Sequence, residues 1–261
     1  MNMSSVYISM LHAVTDSSRT RKSADPMSPC QQEVHEASPG QTFHAIAPLI
    51  NVVDTRSFDL RWAVANVLHF FAETEEANVL SKYNANASKF LDASGRFLDG
   101  AYGPIALSQL RKCVERLKAC ASSRRAIVYM DTDTPENVNV PSCWSFFQFL
   151  VQGSILHMCF TQRSLSLAVM PYDAILLTNI LHWVGSQLEL PLYAMHWNVG
   201  SLHGDAGKQA ARASVPLQLL LPSALLSNPR QCLDELHDPG CTNKLPMLYS
   251  HWLRSTEEVR T

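Results

Sequence analysis

A thiol, several guanidinium groups and one carboxylate occur in an order that suits covalent attack on a phosphorylated ring. Cys143 follows Pro141-Ser142 and precedes the apolar run Phe146-Phe147-Gln148-Phe149-Leu150-Val151. The thiolate is the nucleophilic form of cysteine, and a nearby positive charge favours it at neutral pH. Gln162-Arg163-Ser164, on what reads as the next strand, supplies such a charge, and the planar fork of an arginine also matches a phosphate. Arg124-Arg125 lies upstream and Pro171-Tyr172-Asp173 downstream. Each of these is common alone; their joint order carries the information.

Those residues need a scaffold, and its elements are marked in the sequence. Leu60, Ala63, Val64, Val67, Leu68 and Phe71 recur at three- and four-residue spacing and predict an amphipathic helix. Leu107, Leu110, Val114 and Leu117 predict a second, with Arg111, Lys112, Glu115, Arg116 and Lys118 on its solvated face. Strands are expected over 126–130, 145–151, 155–160 and 192–197. Gln152-Gly153-Ser154 reads as a hairpin turn that pairs the second and third strands antiparallel. A buried helix is expected from Ala174 to about Trp183, with Gly185 placed to end it. Residues 15–45, rich in Ser, Pro, Lys, Arg and Gln, read as a mobile segment rather than a core element. Beyond His203 the pattern becomes irregular and is broken by prolines. The expected class is α+β, with one mixed, largely antiparallel sheet covered by helices. One domain is expected over 1–261, with 204–261 a divergent C-terminal part.

At 261 residues and 46% hydrophobic content the chain can bury a sizeable core. A formal charge of −2 gives no general attraction to nucleic acid or to an anionic membrane, so an anion site must be local. The seven cysteines form no CxxC pair and have no histidine at zinc spacing, which points to a reducing, cytoplasmic setting and no metal. The N-terminus lacks the basic start and apolar core of a secretion signal. The stretch 165–185 contains Pro171, Asp173, Asn179 and His182, which is too polar for a membrane span.

From about residue 55 to residue 203 the chain resembles the thymidylate synthase and pyrimidine nucleotide (dCMP or CMP) hydroxymethylase superfamily. The anchors are Gly100-Ala101-Tyr102-Gly103, Arg124-Arg125, Cys143 two positions after a proline, Gln162-Arg163-Ser164 and Gly200-Ser201-Leu202-His203. The resemblance implies a thymidylate synthase-like fold and a homodimer in which Arg124 and Arg125 reach the neighbouring subunit's phosphate site. It implies that Arg163, Ser164 and a mobile arginine, best matched by Arg21 over Arg19 or Arg56, hold that phosphate. It makes Cys143 the nucleophile, with Tyr102 and the helix residues Asn66 and His69 in the catalytic set, Gln162 and Asp173 at the base, and His203 and Asp205 at the sugar. The partners it implies are a pyrimidine nucleoside monophosphate and 5,10-methylenetetrahydrofolate, with no nucleic acid and no membrane.

The implied chemistry accounts for the residue types. Carbon 5 of a pyrimidine is a poor nucleophile until a thiolate adds at carbon 6 and makes the ring enolate-like or enamine-like. An asparagine at the position of Asp173 goes with uracil in the family, whereas an aspartate suits the amino group and ring nitrogen of cytosine. The expected activity is methylation or hydroxymethylation of CMP or dCMP, of the kind that supplies modified pyrimidines to nucleoside natural products or phage DNA. An aspartate opening a helix is also a routine N-cap. Three positions depart from the family pattern. Asn66 stands where a glutamate is expected, and His69, one turn on, is either its replacement or a structural histidine. Ser166 replaces an acidic residue, ahead of an altered loop over 167–170. His203-Gly204-Asp205 lacks the tyrosine of the sugar motif. These departures leave a second reading open, a thymidylate synthase-like protein that binds a nucleotide or partner without turnover.

Overall fold

The computed structural model describes residues 9, 10, 12, 13, 20–22, 33–36, 40–46, 50–53, 60–76, 80, 81, 91, 94, 95, 101–130, 142–205, 214–217 and 226–237. The chain divides into two compact units, one formed by Met1–Phe58 and Ser108–Leu219, the other by Asp59–Leu107 and Leu220–Thr261.

The first unit is built on a seven-stranded mixed sheet. Its strands are β1 (Thr20–Lys22), β2 (Glu33–Glu36), β3 (Gln41–Ile46), β5 (Ala126–Tyr129), β6 (Trp144–Gln152), β7 (Ile155–Ser166) and β8 (Leu192–Asp205), in the order β1-β2-β8-β7-β6-β5 with β3 also on β8. β4 (Ile50–Val53) pairs separately with β9 (Ser214–Leu217). Every pairing in the large sheet is antiparallel except β7 with β8. The expected hairpin joins β6 to β7, and Gly153 takes the turn's positive φ of 61°.

Alternation decides which face of the sheet is covered. Leu156, Met158, Phe160 and Gln162 of β7 are buried, as are Trp144, Phe147 and Phe149 of β6 and Trp197 and Val199 of β8. Phe147 stacks on Phe160 at 5.2 Å between ring centroids, and Trp144 meets both rings edge-on. The helix Met170–Gln187, here α3, packs on β7 and β8 and buries Ala174, Ile175, Leu176, Leu177, Ile180, Leu181 and Val184, which explains why it is apolar on nearly all sides. The opposite face of the sheet carries a chain of histidines. His44 Nδ1 lies 2.8 Å from His196 Nδ1, and His196 Nε2 lies 3.0 Å from His157 Nδ1.

The second unit contains α1 (Leu60–Phe71) and α4 (Pro229–His237), which pack together. α2 (Tyr102–Ala119) begins in this unit and ends in the first. The apolar positions of α1 set out by their spacing, Ala63, Val64, Val67, Leu68 and Phe71, are buried. The Cα of Gly103 comes so close to α1 that a β-carbon would lie 2.3 Å from the Phe70 carbonyl oxygen. That contact demands glycine.

Strands β1, β2 and most of β3 fall within 15–45, the stretch read as a mobile segment rather than a core element. Two expectations are corrected. β7 and β8 continue to residues 166 and 205, beyond the apolar runs that mark their starts. α3 starts at Met170 and runs past Gly185 to Gln187, and Glu189 rather than a glycine takes the left-handed φ of 56° after it. Gly185 is there for close packing, since a β-carbon on it would lie 2.0 Å from the Tyr193 ring. Among the described residues no helix is long and apolar enough to cross a membrane.

Candidate active site

Cys143 sits at the entrance to β6, half-exposed, inside a small turn. The Ser142 hydroxyl accepts from the Trp144 N–H at 3.1 Å and donates to the Trp144 carbonyl at 2.8 Å, which brackets the cysteine. A register shift between Trp144 and Phe146 follows, so the bulge re-aims the strand's first residues. Arg163 binds the same turn three ways. Its backbone N–H donates to the Cys143 carbonyl at 2.9 Å, its Nε to the Ser142 carbonyl at 2.8 Å, and its Nη2 lies 3.8 Å from the Cys143 sulfur. The hairpin thus holds the guanidinium beside the thiol, as the sequence suggested.

Gln162, next to Arg163, points the other way into the core. Its Nε2 donates to Asp173 Oδ2 at 2.9 Å, and its Oε1 accepts from Trp197 Nε1 at 3.0 Å. Asp173 is 7% exposed, and burial pushes its carboxyl up from 3.8 to about 6, against the pull of the Gln162 amide and the Trp144 indole, which favour the charged form. The alternative role of Asp173 as an N-cap is removed, because the cap position belongs to Val169 and Asp173 lies within the first turn of α3. Trp197 was not recognised from sequence. It reads there as an inward apolar residue, and only the facing Gln162 reveals the use of its N–H.

β8 runs parallel to β7 and sets the remaining residues in register. Ser164 pairs with Ser201 and Ser166 with His203, while Gly200 admits the Arg163 carbonyl oxygen, which would lie 2.8 Å from a β-carbon there. Arg21 and Asp205 both pair with Val34, from β1 and β8, and so share one row of the sheet about 10 Å apart. The side chains of Arg21 and Asp205 lie outside the described residues, as do Arg19, Arg56 and Gly100. Ser166 Oγ accepts from the Ala168 N–H at 3.3 Å, and the turn that follows exposes Val169.

Arg124 and Arg125 are exposed, just before β5. Ala126 pairs with Phe149, so the arginines stand at the far end of β6, roughly 20 Å from Cys143 along the strand at about 3.3 Å per residue. Asn66, His69 and Tyr102 belong to the second unit. Asn66 and Tyr102 are half-buried. His69 is buried, its Nε2 donates to the Glu76 carbonyl at 2.8 Å, and desolvation lowers its pKa, so the ring is neutral.

The family model described as Thymidylate synthase matches residues 6–204. A thymidylate synthase of Vesicomyosocius okutanii subsp. Calyptogena okutanii (strain HA) is 30% identical over 99 residues, which cover 37% of this chain and 38% of that relative.

Proposed function

The chain belongs to the thymidylate synthase family, and from that premise we propose that it transfers a one-carbon unit to carbon 5 of a pyrimidine nucleoside monophosphate, CMP or dCMP, through a Cys143 adduct at carbon 6. The observation that carries the reading is the hairpin that sets Arg163 Nη2 3.8 Å from the Cys143 sulfur while Gln162, the preceding residue, reaches Asp173. Neighbouring residues of one strand thus contact the proposed nucleophile and the proposed base-recognition carboxyl. In the reaction the thiolate bonds to carbon 6, the ring electrons move toward carbon 5, and later loss of the carbon 5 proton and of the thiolate restores the ring. Arg163, with Ser164 and Arg21, holds the phosphate. A carboxyl that titrates at about 6 can share a proton with the cytosine ring nitrogen near neutral pH.

5,10-Methylenetetrahydrofolate, when bound, supplies the one-carbon unit. Ser166 and the exposed Val169 suit a flat ring held by packing and one hydroxyl, without an ion pair. A homodimer completes the phosphate site in this reading, since Arg124 and Arg125 are too far along β6 to serve their own Cys143. His203 and Asp205 meet the sugar, the whole chain acts as one thymidylate synthase-like domain, and the cytoplasm suits the five described cysteines, which form no disulfide among the described residues. Asn66 and Ser166, together with a His69 whose Nε2–H is spent on a carbonyl, favour the second reading, a nucleotide-binding protein without turnover.

Tritium release from carbon-5-labelled CMP, dCMP, UMP and dUMP, with and without the folate, separates the two. Release from a cytidine nucleotide that Cys143→Ala abolishes is the expected result. Nucleotide binding with no release from any substrate would establish the second reading.

A further inference from the structure

A glutamine amide has two ends of nearly equal shape, one accepting and one donating, and something must decide which way it faces. At Gln162 the decision is made by an indole. The nitrogen of tryptophan only donates, so Trp197 Nε1, 3.0 Å from Gln162 Oε1, holds the carbonyl end toward itself and turns the NH2 end to Asp173 Oδ2 at 2.9 Å. Trp197, Gln162 and Asp173 are 1%, 2% and 7% exposed, so water does not compete for these bonds. They come from β8, β7 and α3, three elements whose packing fixes the distances. Among the described residues, the other influences on Asp173 are its burial and the Trp144 indole. Arg163, the charge next in sequence, is exposed on the opposite face of β7.

We propose that Trp197 is a positioning residue of the pyrimidine site: by locking the Gln162 amide it commits Asp173 Oδ2 to accept a hydrogen bond and confines any proton on the carboxyl to Oδ1. This rests on the reading of Asp173 as the group that meets the base. The consequence is chemical. A carboxyl with one defined O–H can pair with cytosine as donor to the ring nitrogen and acceptor from the amino group. Were the amide free to turn, its carbonyl would face Oδ2, draw the acid proton to itself and leave the base-facing oxygen without it. Trp197 thereby sets both the direction in which Asp173 donates and the pH at which it does so.

Trp197→Phe keeps the ring and deletes the N–H. Carbon-13 NMR of the Asp173 carboxyl is expected to show its midpoint rise by about one pH unit, which corresponds to a roughly tenfold larger ratio of acid to carboxylate at pH 7. Affinity for CMP over UMP is expected to fall several-fold, with its pH midpoint moved in the same direction. Gln162→Met should raise the carboxyl midpoint similarly, and Trp197→Phe added to it should then do nothing more. In the wild type, independent of any variant's folding, the Trp197 indole N–H resonance should titrate with the Asp173 midpoint. An unmoved midpoint in a folded Phe variant, or an indole resonance indifferent to Asp173, overturns the positioning role. A midpoint that moves as expected in a protein whose wild type binds no pyrimidine nucleotide supports the lock on Gln162 and overturns the base-recognition reading instead.

Discussion

Replacing Asp173 by asparagine should remove a pH-dependent cost to the protein's stability near neutral pH. The carboxyl is buried and its pKa is pushed up from 3.8 to about 6 by that burial. A group raised in this way binds more protons folded than unfolded between the two values, so stability falls as pH climbs through that window and the loss is complete above about 6. At about 1.4 kcal/mol per pH unit the full cost is on the order of 3 kcal/mol. At pH 4.5 about 1 kcal/mol of it is present, and at pH 7.5 all of it. Asparagine cannot ionise and fills nearly the same volume. It does place an NH2 among the donors of Gln162 and Trp144, and that mismatch carries a cost that does not vary with pH. The pH-dependent part is therefore what should be read. Urea unfolding of both proteins at pH 4.5 and 7.5 should show the variant gaining on the wild type by about 2 kcal/mol between the two conditions. A gap that stays constant within about 0.5 kcal/mol would refute the assignment of the cost to Asp173.

Gly103→Ala should cost about 2–3 kcal/mol in urea unfolding, because the atom its β-carbon meets is the Phe70 backbone oxygen, which has no rotamer to escape to. Gly185→Ala should also destabilise, and most of the loss should be recovered when Tyr193, the side chain it strikes, is shortened to alanine; equal losses in the single and double variants would show the clash to be misplaced. His196 is held below its ordinary pKa by burial and by the charges of His44 and His157, so the fold favours its neutral form and loses stability as pH falls through 6.5. His196→Gln should flatten the decline in melting temperature between pH 7.5 and 5.5, and an unchanged slope would place the acid sensitivity elsewhere. Arg163→Gln removes the guanidinium beside Cys143, and alkylation of that thiol by iodoacetamide at pH 7, followed by mass spectrometry, should slow several-fold.

Elements with a strong internal period were legible in the sequence. α1 and the hairpin of β6 and β7 fall where apolar spacing and the Gly153 turn place them. The short strands β1 and β2 were not, since TRK and EVHE carry no alternation of their own and are held by pairing with β8 or with each other. That pairing joins Val34 to Asp205, a contact that no local pattern announces. Gly185 was misread for the same reason. A glycine near a helix end resembles a cap, and the Tyr193 ring that demands it arrives from another strand. At the candidate site, the thiol, arginine and aspartate stand out in the sequence by their residue types, whereas Trp197, which donates to Gln162, hides its N–H behind apolar bulk.

The cost of Asp173 bears on which functional reading is right. Asparagine would fill nearly the same volume in α3, and the N-cap position of that helix belongs to Val169, with no side-chain cap hydrogen bond. Among the described residues that influence the carboxyl there is no cation, and the Gln162 amide and the Trp144 indole lessen the effect of burial without reversing it. A fold that tolerates a loss on the order of 3 kcal/mol at neutral pH gains nothing from the carboxylate by itself. In the proposed reading the gain comes from a bound nucleotide, since a group that can both accept and donate near pH 6 suits a ring with an acceptor nitrogen beside an amino donor. That reading gives the carboxyl more than a structural role. It does so equally for an enzyme and for a binding protein, and that is why the deciding assay is one of bond breaking at carbon 5 rather than one of affinity.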